Sequence, residues 1–147
     1  MIIEKSSGVI IFYIGKNKPI FLLLKYPNYW GFVKGLLEKG EKAEETAIRE
    51  AKEEANIDKL QLIPGFKETI SFIFKLHGKL IRKFVVFFLA EINKKQAKKV
   101  KVSWEHEGFR FCNLDSALEI MKHKNEKEML IKADKFLKGW LKQKKLF

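Results

Sequence analysis

A single cysteine, three prolines and three arginines are all that this 147-residue chain carries of those types. With no partner for Cys112, an internal disulfide is excluded, and a reducing compartment is the simplest setting. No apolar run approaches the roughly 20 residues needed to cross a bilayer, so no spanning helix is expected. The opening "MIIEKSSGVI" lacks the basic region, long hydrophobic region and small-residue cleavage site of a secretory leader, which makes the cytoplasm the expected location. Internal repeats and linker-like low-complexity segments are absent as well. The length suits one domain over residues 1–147 with a full hydrophobic core.

Basic charge is abundant. Thirty Lys plus Arg stand against eighteen Asp plus Glu, a net charge of +12. Only Arg49, Arg82 and Arg110 are arginines, so the charge is nearly all lysine. Such a surface favours polyanionic partners, although it also serves solubility. The order of elements reads as α/β. "SGVIIFYI" and "PIFLLL", separated by "GKNKP", predict a β-hairpin. "KYPNYWGFVKG" reads as an aromatic loop, and a helix is expected over residues 43–55. "LQLIPGF", "ETISFIFKL", "RKFVVFFLAEI" and "EGFRFCN" predict further strands, the apolar run 84–89 a central one covered on both faces. "LDSALEIMKH" and "EKEMLIKADKFLKGWL" predict two closing helices, the second with an apolar stripe of Met129, Ala133, Phe136, Leu137, Trp140 and Leu141. The tail "KQKKLF" is expected to fray. A mixed β-sheet sandwiched between helices follows.

Seven of the eighteen acidic residues crowd into "GLLEKGEKAEETAIREAKEEANI", residues 35–57. On a helix, Glu50, Glu53 and Glu54 fall within an arc of roughly 100°, because spacings of three and four residues return to one face. They repel one another unless a cation or basic partners intervene, and oxygen-only carboxylate clusters suit Mg²⁺ or Mn²⁺. Ala43, Ala47, Ala51 and Ala55 form a neighbouring row of minimal bulk, which lets the helix approach the sheet. Taken alone, the glutamates read better as a solvated charged helix with i,i+4 Glu/Lys pairs than as a metal site.

The surrounding spacing is more specific. Gly35, five residues, Glu41, seven residues, Arg49-Glu50-Ala51, one residue, Glu53-Glu54, one residue, Asn56-Ile57 resembles the Nudix box. The departure is Asn56 where the family has glycine, and Asn is the next-best residue for a left-handed helix end. The resemblance implies the Nudix fold, an α/β/α sandwich. It also implies that Glu50, Glu53 and Glu54 bind divalent ions, that Arg49 orients a carboxylate, that Glu41 caps or supports the loop, and that Gly35 lets the backbone turn near the metal.

Residues outside the box narrow the branch. "FLLLKYPNYWGFVKG", "GFKETISFIF", "KFVVFFLAEI" and "SWEHEGFRF" resemble segments of the asymmetrical diadenosine tetraphosphate hydrolases over residues 8–121. That resemblance implies Mg²⁺-dependent cleavage of diadenosine tetraphosphate to ATP and AMP. Lys34 and Lys83 would contact phosphates, Glu105 would join the metal site or act as base, and Phe72 and Phe109 would sandwich an adenine. Val33 stands where the family usually has proline, and both phenylalanines where tyrosine is common. Several alternatives stay open. Phe72 alternates with Phe66, Glu68, Ile70 and Phe74 as a core residue would, Phe109 fits either role, and Glu107 could replace Glu105. His106 reads as a structural hydrogen-bonding residue, and Trp104 as exposed. RNA 5′-pyrophosphohydrolysis and nucleoside triphosphate pyrophosphohydrolysis compete as activities, with a non-catalytic nucleotide- or RNA-binding module as the third class. The expected state is a monomer or weak dimer, with a dinucleoside polyphosphate as substrate, RNA as the other polyanion, and no membrane.

Overall fold

The computed structural model describes residues 1–146. Seven strands and four helices follow in the order β1 (Ile2–Gly15), β2 (Lys18–Tyr26), β3 (Tyr29–Gly31), β4 (Val33–Leu36), α1 (Ala43–Ala55), β5 (Glu68–Leu76), β6 (Lys79–Glu91), α2 (Lys94–Lys98), β7 (Gly108–Cys112), α3 (Leu114–Ile120) and α4 (Lys124–Leu146). The sheet runs β3-β2-β1-β6-β5, with β4 paired to β1 and β7 paired to β2. Among the described residues β1 pairs with β6 in parallel, and the other strand pairs are antiparallel. This is the mixed sheet that the sequence predicts.

Alternation along the strands divides the core. Ile10, Phe12, Phe21, Leu23, Phe32, Val85, Phe87 and Leu89 face α3 and α4, where they meet Met121, Met129, Leu130, Ala133 and Leu137. Val9, Ile11, Leu22, Leu24, Val33, Phe88 and Ala90 face α1 and its alanines. Burial of each large apolar side chain stabilises the fold by roughly 1.5–3 kcal/mol before entropy is counted, so both layers are needed. The expected stripe on the last helix is present from Met129 to Trp140, while Leu141 stands only half-buried outside both core layers, and Trp140 packs edge-on against Phe12 at 6.0 Å between ring centroids.

Several expectations change. "LQLIPGF" forms no strand, only an isolated bridge from Leu62 to Ala90, because Pro64 donates no hydrogen bond and Gly65 takes φ +97°. Its apolar residues Leu60, Ile63 and Phe66 are buried all the same. The aromatic loop after β2 contains β3 and β4. Within residues 84–89, Phe84 and Val86 are only half-buried, and two-sided coverage runs from Phe87 to Ala90 instead. The short α2 was not foreseen, since its lysine-rich sequence has no apolar period. It is held by a capping box in which the Gln96 N–H donates to Asn93 Oδ1 at 2.7 Å and the Asn93 N–H to Gln96 Oε1 at 2.9 Å. The tail is helical to Leu146 rather than frayed, while Phe147 lies outside the described residues.

Candidate active site

Small side chains bring the acidic helix to the sheet. Ala47, Ala51 and Ala55 are fully buried, and the Ser7 hydroxyl donates to the Ala43 carbonyl at 2.6 Å. The helix stops at Asn56, whose φ of 57° and ψ of 40° are the left-handed end that its sequence position predicts. The Ile57 N–H then reaches back to the Ala51 carbonyl at 3.2 Å. The segment after α2 docks on this end: the N–H groups of Lys101 and Ser103 donate to the carbonyls of Ala55 and Glu54, each at 3.2 Å. That docking carries His106 to Glu54, with Nε2 2.9 Å from Oε2.

Arg49 organises the outer part of the helix. Its Nε and Nη2 donate to the two Glu41 oxygens at 2.8 and 2.9 Å, Nη1 donates to Glu50 at 2.8 Å and to Glu53 at 3.1 Å, and Nη2 also reaches the Leu36 carbonyl at 3.1 Å. The Thr46 hydroxyl adds a 2.6 Å bond to Glu41. Arg49, followed by Thr46, thus holds the Glu41 carboxyl down at about 2. Glu41 supports the arginine that spans two of the expected metal ligands.

Glu50 lies against Gly35 so closely that a Cβ there would meet its carboxylate carbon at 2.2 Å. Glu54 is 5% exposed, and burial, then the neighbouring Glu50 and Glu105, push its carboxyl up to about 9. The Lys34 backbone N–H opposes that rise. His106 is shifted the other way, since burial disfavours its imidazolium. Two carboxylates crowded in a buried place suit a hard divalent cation. Glu50 and Glu54 fit that role. Glu53 is turned to Arg49 with its side chain 56% exposed, and Glu105 is exposed, so both would have to swing inward. Among the described residues no three acidic, imidazole or thiol groups already converge as a ligand set. The three glutamates thus do not converge as they stand: Arg49 bonds both Glu50 and Glu53, but only Glu53 is turned outward.

On the opposite face of the sheet a cleft of about 480 Å³ is lined by Tyr29, Lys34, Ile70, Phe72, Phe74, Lys83, His123 and Glu126, among others. Lys34 joins the two faces. Its ammonium lies 5.2 and 5.1 Å from the ring centroids of Tyr26 and Tyr29, which stack at 4.6 Å and 4°. The column continues at both ends: His106 meets Tyr26 edge-on at 4.5 Å, and His123 meets Tyr29 at 4.8 Å. Burial lowers the Lys83 ammonium pKa, and Lys34 lowers it further. Two lysines, aromatic walls and this volume suit a phosphorylated nucleotide.

The proposed pair of stacking residues does not meet. Phe72 lies opposite Lys83 and lines the cleft. Phe109 lies opposite Leu24, a residue of the α1 side. Phe21 pairs with Phe12 and Cys112 on its two edges, so β7 and β5 are opposite margins of the sheet, about four strand spacings or roughly 19 Å apart. Face and distance both exclude a sandwich of one adenine between Phe72 and Phe109 in this structure. Each is 40% exposed, and Trp104 is 92% exposed as anticipated. Tyr26, Tyr29 and Glu126 were not expected here: both tyrosines lie inside the family-like "FLLLKYPNYWGFVKG" but give no sign of a role of their own, and Glu126 lies beyond the family-like residues 8–121. A second hollow of about 660 Å³ at Asn56, Asp58, Glu91 and Lys95 contains none of the expected site residues.

Residues 4–133 match the NUDIX domain. Bis(5′-nucleosyl)-tetraphosphatase [asymmetrical] of Caenorhabditis elegans is 33% identical over 141 residues, covering 94% of this chain and 99% of the relative. The Sus scrofa protein of the same name is 35% identical over 144 residues, covering 90% and 95%. A solved binary complex of C. elegans Ap4A hydrolase superposes with a TM-score of 0.81 at 34% identity, covering 92% of this chain and 98% of that one. An RNA pyrophosphohydrolase of Campylobacter jejuni subsp. doylei is 26% identical over 126 residues, 78% of each chain. With the box folded as one helix against the sheet, a domain match over most of the chain and relatives a third identical almost end to end, the protein belongs to the Nudix hydrolase family.

Proposed function

We propose that the protein is a divalent-metal-dependent hydrolase of dinucleoside polyphosphates, a single domain that cleaves diadenosine tetraphosphate asymmetrically to ATP and AMP by attack of water on phosphorus. The observation that supports this reading best is the position of Lys34, whose backbone N–H faces Glu54 while its ammonium lies in the nucleotide-sized cleft. A phosphate chain held by Lys34 and Lys83 would run from the cleft to the glutamates. Glu50 and Glu54, joined by Glu53 and Glu105, are the candidate holders of Mg²⁺ or Mn²⁺. Such ions neutralise phosphate charge and lower the pKa of water, the chemistry required for this hydrolysis. Arg49 orients Glu50, Glu54 is oriented by His106, and either Glu54 or Glu105 accepts the proton of the attacking water. Phe72 stacks on a base from one side, and Phe109 has no part in that contact. A cytoplasmic monomer or weak dimer completes the proposal.

A second reading, RNA 5′-pyrophosphohydrolysis, is favoured by the +12 charge and by the RNA pyrophosphohydrolase relative. Product chromatography after incubation with Mg²⁺ and either diadenosine tetraphosphate or 5′-triphosphorylated RNA distinguishes the two. ATP plus AMP from a strongly preferred dinucleotide supports the first reading. Preferential release of pyrophosphate from RNA supports the second, and turnover of neither removes both.

A further inference from the structure

We propose that Glu126 determines ribose specificity, its carboxylate accepting hydrogen bonds from the 2′- and 3′-hydroxyls of a nucleotide seated in the cleft. The proposal rests on the reading of that cleft as a nucleotide site.

Glu126 lies in the first turn of α4, lines the cleft and is 4% exposed. A carboxylate so buried should accept several hydrogen bonds, because it has about four lone-pair sites and is costly to desolvate. Among the described residues it accepts none: Oε1 is buried without a partner, and Oε2 is 3.7 Å from the Lys34 ammonium, an ion pair too long for a hydrogen bond. One cation at that distance neutralises charge without filling the lone pairs. Oε1 is enclosed on the Gly31 side, so Oε2, which is not fully covered, is the oxygen that hydroxyl donors in the cleft would reach.

The chemistry of the occupant follows from the neighbours. A phosphate cannot serve Glu126, because like charges repel, and phosphates are matched by Lys34 and Lys83. The base ring matches Ile70, Phe72 and Phe74. Between phosphate and base stands the ribose, whose paired hydroxyls are uncharged donors. A carboxylate beside the lysine that holds the phosphate is therefore placed for the sugar, and carboxylates recognise ribose hydroxyls in this way. The donor edge of guanine would also satisfy a carboxylate, but it lies farther along the nucleotide from the phosphate.

The test measures binding of ATP, 2′-deoxy-ATP, 3′-deoxy-ATP and GTP by calorimetry in EDTA, for the wild type, Glu126→Leu and Glu126→Gln, with circular dichroism to confirm folding. The wild type should bind ATP tighter than either deoxy analogue by about tenfold or more, since each lost bond is to a charged acceptor. In Glu126→Leu the ratio should fall to near one. Glu126→Gln should lower it at least threefold, and carries the test alone should the leucine variant not fold. Equal binding of ribo- and deoxynucleotides by the wild type overturns the proposal, as does an unchanged ratio in folded variants. A variant that loses a GTP-over-ATP preference while keeping its ribose preference assigns Glu126 to the base and overturns it too. Failure of the functional reading is separable. Ribose discrimination lost on mutation in a protein that cleaves no dinucleotide leaves Glu126 assigned and removes the activity, whereas cleavage of diadenosine tetraphosphate by a wild type without ribose discrimination does the reverse.

Discussion

His106 Nε2 lies 2.9 Å from Glu54 Oε2, a contact made across 52 positions of sequence. Both side chains are nearly inaccessible, and His106 rests edge-on against Tyr26. The imidazole therefore fixes where one glutamate oxygen stands. His106→Ala should leave the fold intact and lower turnover by about 10–100-fold, the usual effect of removing a partner that orients a metal-binding group. Its Mg²⁺ dependence should move to higher concentration. An unchanged Mg²⁺ titration in the folded variant would remove this positioning role.

Glu53→Gln and Glu54→Gln bear on the metal assignment from different starting positions. Glu54 is already buried beside Glu50, while Glu53 must leave Arg49. Both variants should fold and lose about 10²-fold or more in kcat. Near-normal rates in both would mean that the helix does not hold the ions.

Gly35→Ala should be among the most damaging small changes. The added methyl would meet Glu50 at 2.2 Å, so the carboxylate or strand β4 has to shift. A displacement of about 1 Å in reacting groups costs roughly 10²-fold in kcat/KM. Kinetics with diadenosine tetraphosphate check this, with a thermal melt to separate misplacement from unfolding.

Phe72 and Phe109 should respond differently, as their opposite faces require. Phe72→Ala should raise KM for adenine substrates about tenfold with a smaller change in kcat, the loss expected for one stacked base. Phe109→Ala should leave KM close to that of the wild type. Equal KM increases from both would return Phe109 to the binding site.

Acid stability should depend on Glu41. Its carboxyl is held at about 2 in the folded protein, below an ordinary value of 4.5. A depressed carboxyl stabilises the fold above the unfolded pKa, and that contribution disappears as pH falls through the folded one. The wild type should therefore lose stability between about pH 4.5 and pH 2, and Glu41→Gln should show a shallower decline over the same window. Melting temperatures across that range decide it. The neutral variant should also loosen Arg49 and reduce turnover at pH 7.

The box and its helix were legible in the primary structure because their geometry is local. Spacings of three and four residues put the glutamates on one arc and the alanines on another, and Asn56 ends the helix with its own left-handed backbone. Strand alternation likewise marks which side chains can be core, which is why most of the mixed sheet follows from pattern alone. Pattern misled at "LQLIPGF", where apolar residues are buried without strand pairing.

Face and distance between remote strands are set by pairing register, which no local pattern encodes. Registers on β2 and β6 placed Phe109 and Phe72 on opposite sides of the sheet, although each suits a stacking role alone. Packing of α4 brought Glu126 to Lys34, and docking of the segment after α2 brought His106 to Glu54. The family box, and the chemistry its carboxylates can support, are written in local spacing. Which of those groups share a site depends on the folded chain, because segments distant in sequence meet only through register and packing.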